Sequence, residues 1–298
     1  MNRIPGALRW LALAVLAGCA AGAPGPDSGS APAPRAGAAA GAALEVRYLA
    51  NEGFLVDGAG RRVLVDALFG AGIPGYAAVA AQLRPALEGG EGDWGGVGLA
   101  LATHDHPDHF DPGAAIRFLE ANPEAVFVST PQARARLGAG RPELAARFRA
   151  VLPAAGEVER LSIGGVEIAV LNLHHGHREP PVENLGFVVT LGGLRFLHFG
   201  DTEATLEDFE PYLPLLADPE LALLPFWFLA SEWRAAMVRD RIRPRWIVAA
   251  HTPLPTAPAT YFARWSSYEN LLRVMTAAFP DAILPPAAGE SWTFRAGE

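Results

Sequence analysis

An α/β fold of two mixed β-sheets between layers of helix is the architecture this sequence predicts. Three observations point to it. Short β-type runs lead the chain, helical stretches fall among the later ones, and the cycle repeats after about residue 150. Half of the 298 residues are apolar, enough for a sizeable core. The histidine-rich segments follow predicted strands, and strand ends are a common place for ligand sites.

The elements follow in order. Arg3 and Arg9 form a basic segment, and Trp10 to Ala17 is an apolar run too short to span a bilayer. It ends in small residues, Leu16-Ala17-Gly18-Cys19, as a signal peptidase requires. Leu-Ala-Gly-Cys resembles the lipobox of bacterial lipoproteins, which implies a signal peptide over 1–18 and a lipid on Cys19, the only cysteine. Ala20, rather than Asp, resembles the sorting pattern for the outer membrane, facing the periplasm. Residues 19–43 are almost entirely Ala, Gly, Pro and Ser and read as a disordered tether. One folded domain is expected over 44–298.

Within that domain, Glu45–Leu49, Gly53–Val56 and Arg62–Asp66 are short strands separated by turn residues. Val97–Ala102 reads as a buried strand, Pro112–Asn122 as a helix, Ala125–Ser129 as a strand and Arg141–Ala150 as a helical stretch. Strands follow at Val166–Leu173, Gly186–Leu191 and Arg195–Phe199, the last two joined by a Gly192-Gly193 hairpin turn. Leu221–Phe226 is a buried strand, Ser231–Asp240 a helix, Trp246–Ala250 a strand, Thr260–Ala278 a helix and Ser291–Arg295 a closing strand.

The net charge is −8, and every basic residue is arginine. Cleavage before Cys19 removes two arginines and no acid, taking the side-chain charge to −10. Such a chain is a poor nucleic-acid binder, because non-specific binding rests on neutralising phosphates.

All eight histidines lie between residues 104 and 251. The densest segment is Thr103-His104-Asp105-His106-Pro107-Asp108-His109, directly after a predicted strand. Residues two apart in extended backbone point the same way, so His104 and His106 can reach one metal ion. Asp108 and His109 come next and can reach a second. Imidazole and carboxylate suit zinc, and manganese or iron would accept them. One such histidine would read as a hydrogen-bonded loop residue; four potential ligands in six residues read as a metal site.

His104-x-His106-x-Asp108-His109 resembles the signature of the metallo-β-lactamase superfamily, and the order of later segments extends the resemblance from about Tyr48 to about Gly289. The resemblance implies an αββα sandwich holding two divalent metal ions. It also implies a third histidine after a central strand, an aspartate in a Gly-Asp turn that bridges the metals, and a final histidine after a late strand. His175 takes the first slot, preceding Gly176, with His174 the alternative; Asp201 in Gly200-Asp201-Thr202 and His251 take the others. His177 would line the pocket or face water. His198 reads as structural or orienting, and Asp66 as either a turn residue or an orienting partner of the metal loop. Asn51-Glu52-Gly53-Phe54, Glu183-Asn184-Leu185-Gly186-Phe187 and Leu197-His198-Phe199-Gly200-Asp201-Thr202 look like the branch containing L-ascorbate-phosphate lactonases and N-acyl-phosphatidylethanolamine phospholipases D.

The implied activity is hydrolysis of an ester, lactone or phosphodiester bond by a metal-bridging hydroxide, with Asp108 both a ligand and the group that orients the hydroxide or relays its proton. A non-catalytic metal-binding lipoprotein of the same fold is the alternative. Metal-dependent oxygen chemistry would need iron and a redox partner, which nothing here supplies. The run Phe226-Trp227-Phe228-Leu229, expected in a loop, has two readings: core packing beneath the next helix, or a pocket wall for a small substrate with an apolar portion.

Overall fold

Strand Val166–Asn172 shows how the sequence builds its layers. Val166, Ile168 and Val170 enter one apolar core while Ala169 and Leu171 enter another, because successive side chains of a strand point to opposite faces. The computed structural model describes residues 41–138, 142–176, 181–284 and 286–297. The expected signal peptide, Cys19, most of the tether and His177 lie outside these residues.

Among the described residues, one sheet contains β1 (Ala43–Ala50), β2 (Gly53–Gly58), β3 (Arg61–Val65), β4 (Val97–Leu101), β5 (Val126–Ser129), β6 (Phe148–Ala150) and the closing Ser291–Arg295 strand, β13. The other contains β7 (Val158–Ile163), β8 (Val166–Asn172), β9 (Leu185–Leu191), β10 (Leu194–His198), β11 (Leu221–Pro225) and β12 (Trp246–Ala250). Their orders are β13-β1-β2-β3-β4-β5-β6 and β12-β11-β10-β9-β8-β7. Both sheets are mixed. β3 to β6 run parallel beside an antiparallel β13-β1-β2-β3 half, and β10 to β12 run parallel beside an antiparallel β7 to β10 half.

Three apolar clusters make the sandwich. Residues such as Val46, Phe54, Val65 and Leu101 of the first sheet meet Ile168, Phe187, Phe196 and Leu223 of the second in a central core. The helix Pro112–Ala121 covers the first sheet's outer face through Phe118 and Leu119. Leu271 and Met275 of the helix Tyr268–Ala278 do the same for the second sheet. The fold is therefore an α/β sandwich of two mixed sheets flanked by helices.

Several local expectations differ from the structure. Arg141–Ala150 is not one helix: a single turn, Pro142–Ala145, is followed by β6, because Phe148 is taken into the core against Phe127. Thr260–Ala278 is broken. A 3₁₀ turn at Ala259–Phe262 ends before Ser266, which adopts φ 71°, and Ser267 then caps the helix Tyr268–Ala278. The Phe226–Leu229 run holds a helical turn, Trp227–Ala230, rather than a loop. β7 escaped the sequence reading because its exposed Glu159, Arg160 and Ser162 mask the alternation. The Gly192-Gly193 turn does join β9 to β10, with both residues at positive φ, as a tight hairpin needs.

Candidate metal centre

The site is assembled where strands end. Asp66 follows β3, His104 lies just beyond β4, His198 closes β10, Asp201 follows it by three residues, and His251 follows β12. β3 and β4 are parallel neighbours, and so are β10 to β12, so each set delivers its C-terminal ends to one edge of its sheet. A backbone bond from Leu185 N to Thr103 O, 2.9 Å, ties the start of β9 to the metal loop.

Ligand atoms of His104, His106, His175 and Asp201 lie within 4.8 Å of one another, and those of Asp108, His109 and His251 do likewise. Asp201 touches both groups. Its Oδ2 lies 3.2 Å from His251 Nε2, 3.6 Å from His175 Nε2 and 3.9 Å from His104 Nε2, and its Oδ1 lies 3.3 Å from His109 Nε2. The structure thus brings together all seven residues the sequence nominates. His174 stands apart, its side chain about a third exposed and its Nε2 3.2 Å from Asp208 Oδ2.

The metal loop is held by Asp66. Its Oδ1 accepts from Thr103 N at 2.7 Å, and its Oδ2 lies 2.8 Å from Thr103 Oγ1, 2.9 Å from His109 Nδ1 and 2.8 Å from His198 Nε2. A carboxylate only accepts, so His109 donates from Nδ1 and turns its Nε2 lone pair to the site. The Thr103 hydroxyl spends its one proton on Asp66 and accepts from His104 Nδ1 at 2.9 Å, which turns His104 Nε2 the same way. Of the two readings of Asp66, the orienting one matches this geometry, as it does for His198.

Three of these buried residues carry left-handed backbone: Asn51 at φ 48°, Asp66 at 43° and His251 at 49°. Strain of this kind gathers at functional sites and persists only where the surroundings enforce it. Gly200 at φ 55° turns the chain into Asp201, and a Cβ there would meet Thr103 Oγ1 at 2.5 Å. Asn184, just before β9, ties together the ends of β8 and β10 on either side of it by donating from Nδ2 to Leu173 O at 2.7 Å and to Phe199 O at 3.0 Å.

The donor chemistry fits metal cations. His104 Nε2, His109 Nε2, His251 Nε2, Asp108 Oδ1 and Asp201 Oδ1 are buried without a hydrogen-bond partner, lone pairs converging on one space. Burial lowers the His251 pKa, but Asp201 and Asp108 overcome it and push it up to about 10; His109 is raised the same way by Asp201 and Asp66. A cluster that draws protons onto imidazole draws positive charge generally, and metal ions compete for those places. His104, by contrast, is held well below its ordinary value by burial and then by His109, so it stays neutral.

The sequence reading gave no role to three contributors. Asn51 and Glu52 were legible only as part of a motif that resembles one branch of the superfamily, yet Asn51 Nδ2 donates to Asp108 Oδ2 at 3.0 Å and Glu52 Oε2 lies 3.3 Å from His198 Nε2. Tyr76, whose ring meets His251 edge-on at 4.3 Å, carried no signal in its Gly/Ala-rich segment. Trp227 also reaches the site, with its ring 5.3 Å from His251 and Nε1 donating to Thr202 O at 3.1 Å, while Phe228 is wholly buried in the core.

Comparison with known proteins agrees with this geometry. The chain is similar to Protein Rv0786c of Mycobacterium tuberculosis, 35% identical over 109 residues; the match spans 36% of this chain and 47% of that protein. It is similar to the UPF0173 metal-dependent hydrolase STH3160 of Symbiobacterium thermophilum, 25% identical over 212 residues, 70% of this chain and 84% of the relative. Among solved structures it is similar to Igni18, a metallo hydrolase from the archaeon Ignicoccus hospitalis, at TM-score 0.54 and 18% identity, covering 85% of this chain and 98% of that one. The family model described as the beta-lactamase superfamily domain matches residues 61–261, which include all seven residues from His104 to His251 that the sequence nominates, together with Asp66 and His198, so that the chain belongs to the metallo-β-lactamase superfamily.

Proposed function

We propose that this metal-dependent hydrolase cleaves an ester, lactone or phosphodiester bond in a small substrate that carries an apolar portion. The observation that carries the reading is Asp201, whose two oxygens face imidazoles of both donor groups, as a ligand shared between two cations would. In this reading His104, His106 and His175 hold one divalent ion, Asp108, His109 and His251 hold the other, and zinc suits this donor set best. A bound metal pair supplies Lewis acidity and makes water acidic enough to attack at neutral pH.

The chain's own residues do the rest. Asp108 is fixed through Oδ2 by Asn51 and lies 3.4 Å from His251 Nε2, which leaves Oδ1 without a hydrogen-bond partner and able to take a proton from the attacking water. Tyr76 and Trp227 flank His251 with aromatic rings, and this supports an apolar portion in the substrate. The acidic, lysine-free composition speaks against nucleic acid as that substrate.

The test is metal content by elemental analysis, followed by turnover of an aryl phosphodiester, an aryl ester and a lactone panel. About two metal ions per chain and hydrolysis of at least one class are expected, with both lost in His104→Ala and Asp201→Ala. A metal-free protein that still turns over substrate, or a fully loaded one inert on every class, would overturn the proposal.

A further inference from the structure

We propose that the two-residue turn Asn51-Glu52 is the positioning device of one metal site only, the site of Asp108, His109 and His251, and that it sets that site's affinity separately from its neighbour's. The inference rests on the reading that those three residues hold a cation.

The turn lies between β1 and β2 and reaches every member of that group. Asn51 donates from Nδ2 to Asp108 Oδ2 at 3.0 Å, and its carbonyl accepts from His251 N at 3.1 Å. Glu52 Oε2 lies 4.0 Å from His109 Nδ1 and 3.3 Å from His198 Nε2. His198 in turn bonds Asp66 Oδ2 at 2.8 Å, the oxygen that holds His109 Nδ1 and also accepts from Thr103 Oγ1, so the turn reaches His104 only through three intervening groups. Among the described residues, neither Asn51 nor Glu52 makes a hydrogen bond or ion pair to His104, His106 or His175.

The cost of the arrangement argues for its use. Asn51 and Glu52 are 1% and 0% exposed, Asn51 holds left-handed backbone, and Glu52 Oε1 has no hydrogen-bond partner. A buried carboxylate with an unfilled oxygen destabilises a fold unless positive charge lies near it. Here the nearest such charge is the His198 imidazole at 3.3 Å, and the cation bound through His109, whose Nδ1 lies 4.0 Å from Glu52, would add to it. Glu52, Asp66 and His109 also have atoms close enough to suggest a third ion. However, both oxygens of Asp66 already accept from Thr103, His109 and His198, so the turn acts by hydrogen bonding and charge.

The experiment titrates Zn²⁺ into the stripped full chain against a chromophoric chelator, for the wild type, Asn51→Gly and Glu52→Gln. Glycine keeps the left-handed backbone and the carbonyl while deleting the amide; glutamine keeps the shape of Glu52 and deletes its charge. Melting curves of the stripped variants establish that each is folded. The expected result is two zinc ions in the wild type and, in each variant, one unchanged affinity with the other weakened about 10–100-fold. In an Asp108→Ala background, which already lacks that site, adding Asn51→Gly should change the remaining affinity no further. Equal weakening of both zinc ions, or of neither, overturns the inference and leaves the two-metal reading standing. A wild type that binds fewer than two overturns that reading itself.

Discussion

At Thr103 the hydroxyl has two neighbours, Asp66 Oδ2 at 2.8 Å and His104 Nδ1 at 2.9 Å, and it can donate to only one. Because Asp66 only accepts, the direction of every bond in the chain Asp66–Thr103–His104 is determined, as it is for Asp66–His109. Asp66→Asn removes that certainty: an amide nitrogen donates where these imidazoles and the hydroxyl also donate, while asparagine still tolerates the left-handed backbone at this position. We expect a folded Asp66→Asn protein whose zinc affinity, read by chelator competition, falls about 10–100-fold. His198 offers a second test at this scale. Burial lowers its pKa, but bonds to Asp66 and Glu52 outweigh that and raise it from 6.5 to about 9. A raised folded-state pKa stabilises fully below the unfolded value and loses the effect as pH climbs through the folded one. In stripped protein, the melting-temperature advantage of wild type over His198→Gln should therefore be largest below about pH 6.5 and shrink toward about pH 9. An advantage that grows over that interval would contradict the assignment.

The helical turn Trp227–Ala230 separates two roles that the sequence left superimposed. It follows β11, and Phe226 N bonds Ala250 O at 2.9 Å, one residue before His251, so the turn is tied to the strand that delivers that histidine. Phe228 then faces Phe199 and Phe209 in the core, at centroid distances of 5.7 and 5.9 Å, while the partly buried Trp227 faces His251. Phe228 takes the core position, and Trp227, beside His251, is the residue we propose as a pocket wall. Trp227→Ala should raise KM for esters with long acyl chains and leave small polar esters near wild-type turnover, with metal content unchanged. Equal loss on all substrates with a lower Tm would return Trp227 to a packing role.

For the whole molecule, no helix among the described residues is long and apolar enough to cross a membrane. The membrane association we propose depends instead on a lipid at Cys19. One acyl chain holds a protein only marginally, whereas the several chains of a lipoprotein N-terminus hold it firmly. Cys19→Ser should block lipidation, so that the protein accumulates unprocessed or is released on cell fractionation. A variant that stays with the membrane at the wild-type mature mass would show that the anchor lies elsewhere. The acidic net charge of −8 bears on substrates too, since it repels polyanions at long range.

Local chemistry made much of this protein readable from its sequence. Strands such as β8 announce themselves as near-continuous apolar runs, because each must serve two cores, and the loop His104–His109 announces itself by packing four potential ligands after a buried strand. What local pattern could not settle were questions of direction and distance. His174 and His175 are neighbours of one type, and only the turn at Gly176, φ 67°, together with the fold around it, aims His175 toward Asp201 and leaves His174 beside Asp208. Asn51 and Glu52 are 57 residues from Asp108 and 146 from His198 respectively, so nothing in their surroundings along the chain shows what they hold. The helix expected over Thr260–Ala278 breaks where Ser266 turns left-handed and lets Trp265 pack edge-on against Phe226, at 5.4 Å. Burial patterns and ligand types are written residue by residue; which buried group faces which is decided only when the two sheets close on each other.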